Sequence, residues 1–349
     1  MPRPNAPTLP AALLLAGSLS LLAGCSAPPE AQTLQGYTMG TTWSVRLVMP
    51  EDERAAEGLR ADVRTDIEEA LDTVDRQMST WRDDSDLTRF NNLSAGESLI
   101  VPEEFAAVLE ASLELADQTG GYFDPTIGPL VNLWGFGPEG RRDEPPSDEE
   151  IESTMARVGW YRLEYDATNR KLTQPGDTYL DFSAIAKGYA VDLVAELLEA
   201  RGITDYLVDL GGDMRMNGHR PDGDRWRIAV ERPDPSTRDI FTIIQVGDKA
   251  LATSGSYRNF FEYGEQQFSH TIDPNTGRPI PQELVSVTVV HDECMLADGY
   301  ATAITALGAE DGFEFAREHR LAALLLIRDN DSVIERMTDA FAPYLQLDN

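Results

Sequence analysis

Asp181-Phe182-Ser183-Ala184-Ile185-Ala186-Lys187-Gly188-Tyr189-Ala190-Val191-Asp192 is the stretch on which the rest of the chain turns. It follows the strand-like residues 178–180 and leads into Leu193-Val194-Ala195-Glu196-Leu197-Leu198, whose apolar spacing suits an amphipathic helix. Ser183 carries a good N-cap side chain, so the free N–H groups of the first turn point to where an anion can sit. Lys187, one turn along, brings its ammonium to the same spot, and Gly188 permits a close approach to the backbone. Strand, capped helix and lysine together make a pocket for a phosphate. An ordinary helix start with a solvated lysine fits the same residues as well, and what surrounds them has to decide.

The 349 residues leave room for one large domain or two intimately packed ones, and 42% hydrophobic residues suffice for a substantial core. Sixty Asp plus Glu against 29 Lys plus Arg give a formal charge of −31. Such a surface repels nucleic acid and anionic membrane, which argues against both as main partners. It repels an anionic small molecule equally, so one must be met by local cations or a metal.

Residues 1–24 read as an export signal, with Arg3 ahead of the apolar run 9–22, too short for a comfortable membrane span. The run closes in Leu22-Ala23-Gly24-Cys25, which resembles the lipobox of bacterial lipoproteins and implies lipid on Cys25. Residues 25–32 are then a lipidated tether and 33–345 the folded domain, exported and anchored on the periplasmic side of an inner or outer membrane. The other cysteine, Cys294, has no partner of CxxC spacing and is expected to be structural.

Along the domain, residues 33–49 read as strand, 53–78 and 102–119 as long amphipathic helices, and 147–158 as a helix opened by the capping box Ser147…Glu150. Residues 122–137, rich in glycine, proline and aromatics, suit a packed irregular loop lining a cleft. A hairpin is expected over 163–173, and the buried strand 206–210 runs into Gly211-Gly212. Further strands are expected at 225–230, 241–246, 250–253, 267–272, 286–290 and 321–327, with helices at 296–307 and 311–319. Helices and largely non-alternating strands mixed throughout, with no linker, mean a compact α/β or α+β body.

Gly135-Phe136-Gly137-Pro138-Glu139-Gly140 matches G-x-G-x-x-G only formally, because charged, proline-rich residues follow where a helix should begin. Walker A, HExxH and GxSxG sequences are absent. Asp298 and Thr302, four apart on a helix, share one face, and with a main-chain carbonyl they suit a hard cation such as Mg²⁺. Asp298 as a mere helix N-cap fits the same spacing. Of four histidines, His219, His291 and His319 look like surface positions; His270, delivered by a strand to the Asp273-Pro274-Asn275-Thr276-Gly277 turn, is the best general-base candidate.

Taken together, Thr38-Met39-Gly40-Thr41, Met78-Ser79-Thr80-Trp81, residues 123–137, 181–192, 208–212, Thr253-Ser254-Gly255, 269–279 and 297–308 resemble the ApbE family of FAD:protein FMN transferases. The resemblance implies an α+β (mixed α/β) single catalytic body with flavin and metal in a central cleft. It implies FAD as substrate, release of AMP, and transfer of FMN through its phosphate to a threonine of another exported protein, such as a subunit of a membrane redox complex. It further implies Mg²⁺ on Asp298, Thr302 and the Ala184 carbonyl, FAD held by Met39, Trp81, Gly121, Tyr122, Phe123, Asp181, Lys187 and Ile272, and His270 as base. Where relatives often have tyrosine, Trp81 preserves stacking but not a hydroxyl contact. An Mg²⁺-dependent FAD pyrophosphatase and a non-catalytic FAD-binding lipoprotein are the alternatives.

Overall fold

The computed structural model describes residues 31–48, 53–232, 239–255, 260–264, 266–330 and 332–345. The signal segment and Cys25 lie outside the described residues. In chain order the elements are β1 (Ala31–Thr38), β2 (Thr41–Val48), α1 (Glu53–Met78), α2 (Asp86–Asn91), β3 (Ser98–Ile100), α3 (Glu103–Gln118), α4 (Gly128–Leu133), α5 (Asp148–Met155), β4 (Glu164–Asp166), β5 (Lys171–Thr173) and α6 (Ala186–Ala200). There follow β6 (Tyr206–Leu210), β7 (Asp213–Asn217), β8 (Ile228–Glu231), β9 (Ile240–Ile244), β10 (Ala250–Gly255), β11 (Phe260–Tyr263), β12 (Gln266–Ser269), β13 (Ile272–Asp273) and β14 (Arg278–Pro279). The last are β15 (Leu284–His291), α7 (Cys294–Leu307), α8 (Ala309–Glu318), β16 (Ala322–Asp329) and β17 (Ser332–Met337).

One eight-stranded sheet carries the molecule, in the order β1-β2-β6-β7-β10-β15-β16-β17, with every neighbouring pair antiparallel. Val45, Leu47, Val208 and Leu210 face α1, α3 and α6 through Ile67, Val74, Phe105, Val191 and Val194. Val287 and Val289 continue that layer against Ala297, Ala301 and Ile304 of α7. On the opposite face Leu207, Leu251 and Val290 pack under the β8–β9 hairpin and Phe341. Strand β15 is therefore buried on both faces along nearly its whole length, Ser286 and Thr288 included. The fold is mixed α/β, with helices on one side of a largely antiparallel sheet.

Several expectations shift. β1 begins at Ala31, inside the expected tether, because Ala31 and Gln32 pair with Val48 and Leu47. Residues 178–180 are not a strand: the Asn91 side chain both donates to the Leu180 carbonyl (2.9 Å) and accepts from its N–H (2.8 Å), replacing a neighbouring strand. The expected strand 267–272 breaks at His270, where the Ser269 hydroxyl accepts from the Thr271 N–H (3.1 Å) and ends β12. The loop 122–137 contains the short helix α4, started by Pro129 at a position that needs no N–H donor.

Candidate active site

Two tight hairpin tips meet at one end of the sheet. Met39 and Gly40 turn β1 into β2 with φ of 47° and 74°, and Gly211 and Gly212 turn β6 into β7 with φ of 64° and 103°. Both are two-residue turns with left-handed central residues, the geometry that matches strand twist. The Gly211 N–H donates to the Thr42 carbonyl (3.1 Å), so the tips lie side by side. A Cβ on Gly211 would come within 2.9 Å of the Thr41 side chain. Methionine in the left-handed region costs about 1–2 kcal/mol, a strain that the surrounding pairing sustains at a site-facing turn.

Asp213 directly follows the second tip and is almost fully buried. Its carboxylate accepts a hydrogen bond from Lys187 Nζ, which also lies 3.6 Å from Asp298 Oδ2. Burial opposes the charged ammonium of Lys187, but Asp213 and Asp298 outweigh it and hold its pKa above the ordinary lysine value. Burial, reinforced by the charge of Asp213, pushes the Asp298 carboxyl up to about 7, against the pull of Lys187 and the Gly188 N–H. Two buried carboxylates thus face one ammonium. The surplus negative charge suits a further cation.

The start of α6 differs from expectation. Ser183 is not its N-cap; the Ser183 N–H (2.8 Å) and hydroxyl (2.5 Å) both donate to Asp181 Oδ1, and the helix begins at Ala186 after Ile185. The Gly188 N–H leaves the helical ladder and donates to Asp298 Oδ2 (3.2 Å). Consequently no backbone N–H among the described residues donates to the Ala184 carbonyl. Asp298 is not a cap either, since α7 starts one turn earlier at Cys294. Thr302, one turn beyond Asp298 and half-buried, makes no hydrogen bond through its hydroxyl among the described residues, whereas the nearby Thr305 hydroxyl donates to Ala301 (2.7 Å). A carboxylate, a hydroxyl and a freed carbonyl are the oxygen donors a hard cation requires, completed by ligand or water. Among the described residues no three His, Cys, Asp or Glu side chains gather as a metal cluster.

Of the expected flavin residues, Asp181 is buried, with its N–H donating to the Pro125 carbonyl (2.8 Å). The Phe123 and Ile272 side chains are buried in the core, so each can meet a ligand only through its main chain. Gly121, with φ of 89°, and the half-buried Tyr122 follow α3 in a loop braced by Thr119, whose hydroxyl accepts from the Phe123 N–H (3.0 Å). Asp124 anchors the same loop, accepting from Thr126 and from the Trp160 N–H (3.1 Å); burial raises its carboxyl above the ordinary range. Trp81 is 68% exposed on the loop after α1, with Arg82 beside it pinned to Asp75 (3.1 Å) and Asp84 (2.9 Å). His270 is half-buried and edge-on to Phe136 (6.3 Å between rings). Trp134 Nε1 donates to the Gly277 carbonyl (2.8 Å), tying the segment after α4 to the turn that follows His270.

Asp213, one position beyond the Gly211-Gly212 pair, joins the candidate site without belonging to any motif in the sequence. An acidic residue immediately after a Gly-Gly turn was the available signal.

A strained hairpin tip, a lysine between two carboxylates and a helix start with a vacated carbonyl define a protein that handles an anionic ligand at one end of a mixed sheet. The ApbE family model matches residues 39–325, and the chain belongs to that family. The FAD:protein FMN transferase of Vibrio cholerae serotype O1 is 41% identical over 333 residues, covering 95% of this chain and 98% of that protein. That of Escherichia coli K12 is 36% identical, over 95% and 96%. Among solved structures, the flavin transferase ApbE from Vibrio cholerae superposes with a TM-score of 0.81 at 40% identity, covering 90% of this chain and all of that one. The flavinyl transferase ApbE of Pseudomonas stutzeri, in its apo form, gives 0.82 at 37%, over 90% and 97%.

Proposed function

We propose that this chain is an FAD:protein FMN transferase that joins FMN through its phosphate to a threonine of an exported or membrane redox protein and releases AMP. The observation that carries the proposal is the meeting of Lys187, Asp213 and Asp298 at the start of α6, where the Gly188 N–H turns to Asp298 and no backbone N–H among the described residues donates to the Ala184 carbonyl. Asp298, Thr302 and the Ala184 carbonyl would hold Mg²⁺, which supplies Lewis-acid neutralisation of a pyrophosphate. Lys187 Nζ, kept protonated between its carboxylates, donates to a phosphate oxygen and steadies the charge spread over it in transfer. Asp181 and the main chain of Gly121, Tyr122, Phe123 and Ile272 position the flavin, with Met39 and Trp81 against its rings. His270 takes the proton of the threonine hydroxyl as the new O–P bond forms and the bond to AMP breaks. Cys25 carries the lipid that keeps the domain at the envelope membrane, and Cys25→Ser would release it to the soluble fraction.

The test incubates the purified chain with FAD, Mg²⁺ and a threonine-bearing acceptor domain and weighs the products. One FMN on the acceptor threonine, one AMP released, and loss of both on His270→Ala or Asp298→Ala are expected. Free FMN and AMP with unmodified acceptor would instead identify a pyrophosphatase, and bound FAD without turnover a carrier.

A further inference from the structure

The catalytic helix α7 has no cap of its own: Glu293 precedes it, and no Glu293 side-chain hydrogen bond closes the first turn. The missing acceptor comes from α6. Asp192 Oδ1 accepts from the Cys294 N–H (2.9 Å) and Oδ2 from the Met295 N–H (2.8 Å), so one carboxylate satisfies two orphan donors of a different helix. Arg215 of β7 neutralises it, with Nη1 donating to Oδ1 (2.9 Å). The same first turn of α7 rests on Gly188, where a Cβ would approach Met295 Cα to 2.8 Å. Gly188 and Asp192 therefore grip Cys294 and Met295 from one face of α6. One turn further along α7, Asp298 meets the Gly188 N–H.

The charges are arranged in register. On α6, Lys187 precedes Asp192; on β7, Asp213 precedes Arg215; and each lysine or arginine meets the carboxylate across from it. Lys187 of the inner pair also reaches Asp298, while the outer pair holds the end of the helix that carries Asp298 and Thr302.

We infer that Asp192, backed by Arg215, is a positioning residue that sets α7 against the start of α6 and thereby fixes the distance from Asp298 and Thr302 to the Ala184 carbonyl. The inference rests on the metal set proposed above. Partners behind metal ligands change metal affinity by roughly 10–100-fold when removed. Asp192→Asn retains the shape but turns an amide N–H toward Met295 or Cys294 and loses the charge on Arg215.

The experiment measures Mn²⁺ affinity of the full-length chain by the electron paramagnetic resonance signal of free Mn²⁺, without flavin turnover. Thr338→Val serves as the control, because the Thr338 hydroxyl bridges Leu321 (2.7 Å) and Ala323 (3.0 Å) away from the site and its loss lowers stability alone. Asp192→Asn is expected to weaken Mn²⁺ binding about tenfold, Arg215→Gln to weaken it in the same direction by less, and Thr338→Val to leave it unchanged. Asp192→Asn binding Mn²⁺ as the parent does, with a melting loss like that of Thr338→Val, overturns the inference. Should Asp192→Asn fail to fold, unaltered Mn²⁺ affinity in Arg215→Gln overturns it equally. A parent chain that binds no Mn²⁺ overturns the metal set itself, and the inference with it.

Discussion

Asp181 shows how a single residue trades stability for a site. Its carboxylate is buried with no cation against it among the described residues; burial raises its pKa, and the two hydrogen bonds from Ser183 counter that only in part. An acid whose folded pKa exceeds its unfolded value, about 3.9, gives stability that is full below that value and is lost as pH rises through the folded pKa. Above the unfolded pKa, Asp181 therefore contributes less and less to stability as pH rises. Asparagine keeps an oxygen for both Ser183 donors and removes the charge. Asp181→Asn is expected to melt at or above the parent temperature at about pH 8, with the difference vanishing below about pH 4. Its FAD affinity, read by flavin fluorescence, is expected to fall. A variant that melts clearly lower than the parent at neutral pH would contradict the assignment of burial as the dominant effect.

At the scale of elements, the site depends on how closely α6, α3 and α7 cross, and two glycines separate strict from tolerant contacts. A Cβ on Gly188 would run into the backbone of Cys294 and Met295, which cannot move without shifting α7. A Cβ on Gly299 would meet the end of the Leu115 side chain, which can turn away. Overpacking costs typically about 1–3 kcal/mol where nothing gives, whereas alanine gains up to about 1 kcal/mol over glycine inside a helix. Gly188→Ala is expected to lose stability and Mn²⁺ affinity together, and Gly299→Ala to stay within about 1 kcal/mol of the parent in denaturant melts. Equal stability for the two variants would refute this reading of the crossing. The helices themselves were legible from sequence, because α1, α3 and the capping box of α5 are written in local apolar steps and caps. Less legible were features set by distant neighbours. Ser183 reads as a cap until Asp181 is seen to take both its donors. Residues 178–180 read as a strand until Asn91 supplies their pairing. Lys187, Asp298 and Thr302 were picked out from motifs, but Asp213 and Asp192 gain their roles only once β7 and α7 are brought beside α6.

For the whole molecule the governing quantity is the formal charge of −31. Self-repulsion of that surface weakens the compact state and opposes the approach of an anionic flavin. Screening shortens from about 10 Å at 0.1 M salt to about 3 Å at 1 M, so the melting temperature is expected to rise over that interval of NaCl. The many exposed ion pairs, such as Arg64–Glu68 and Arg76–Asp72, lose strength in salt, but exposed pairs contribute little and do not reverse the trend. Screening acts on any surface charge, whereas a cation bound at Asp298 acts through one site. At constant ionic strength, replacing part of the NaCl with MgCl₂ separates the two. A ligand that binds only the folded state stabilises it by RT ln(1 + [L]/Kd), or about 2.7 kcal/mol at a concentration about 100 times Kd. The parent chain is expected to gain a Mg²⁺-dependent increment in melting temperature beyond the salt effect. Asp298→Ala should keep the NaCl response and lose the Mg²⁺ increment, since it removes one buried carboxylate and leaves the surface untouched. An increment that persists in Asp298→Ala would assign Mg²⁺ binding to the acidic surface at large and detach the metal from the Lys187 pocket.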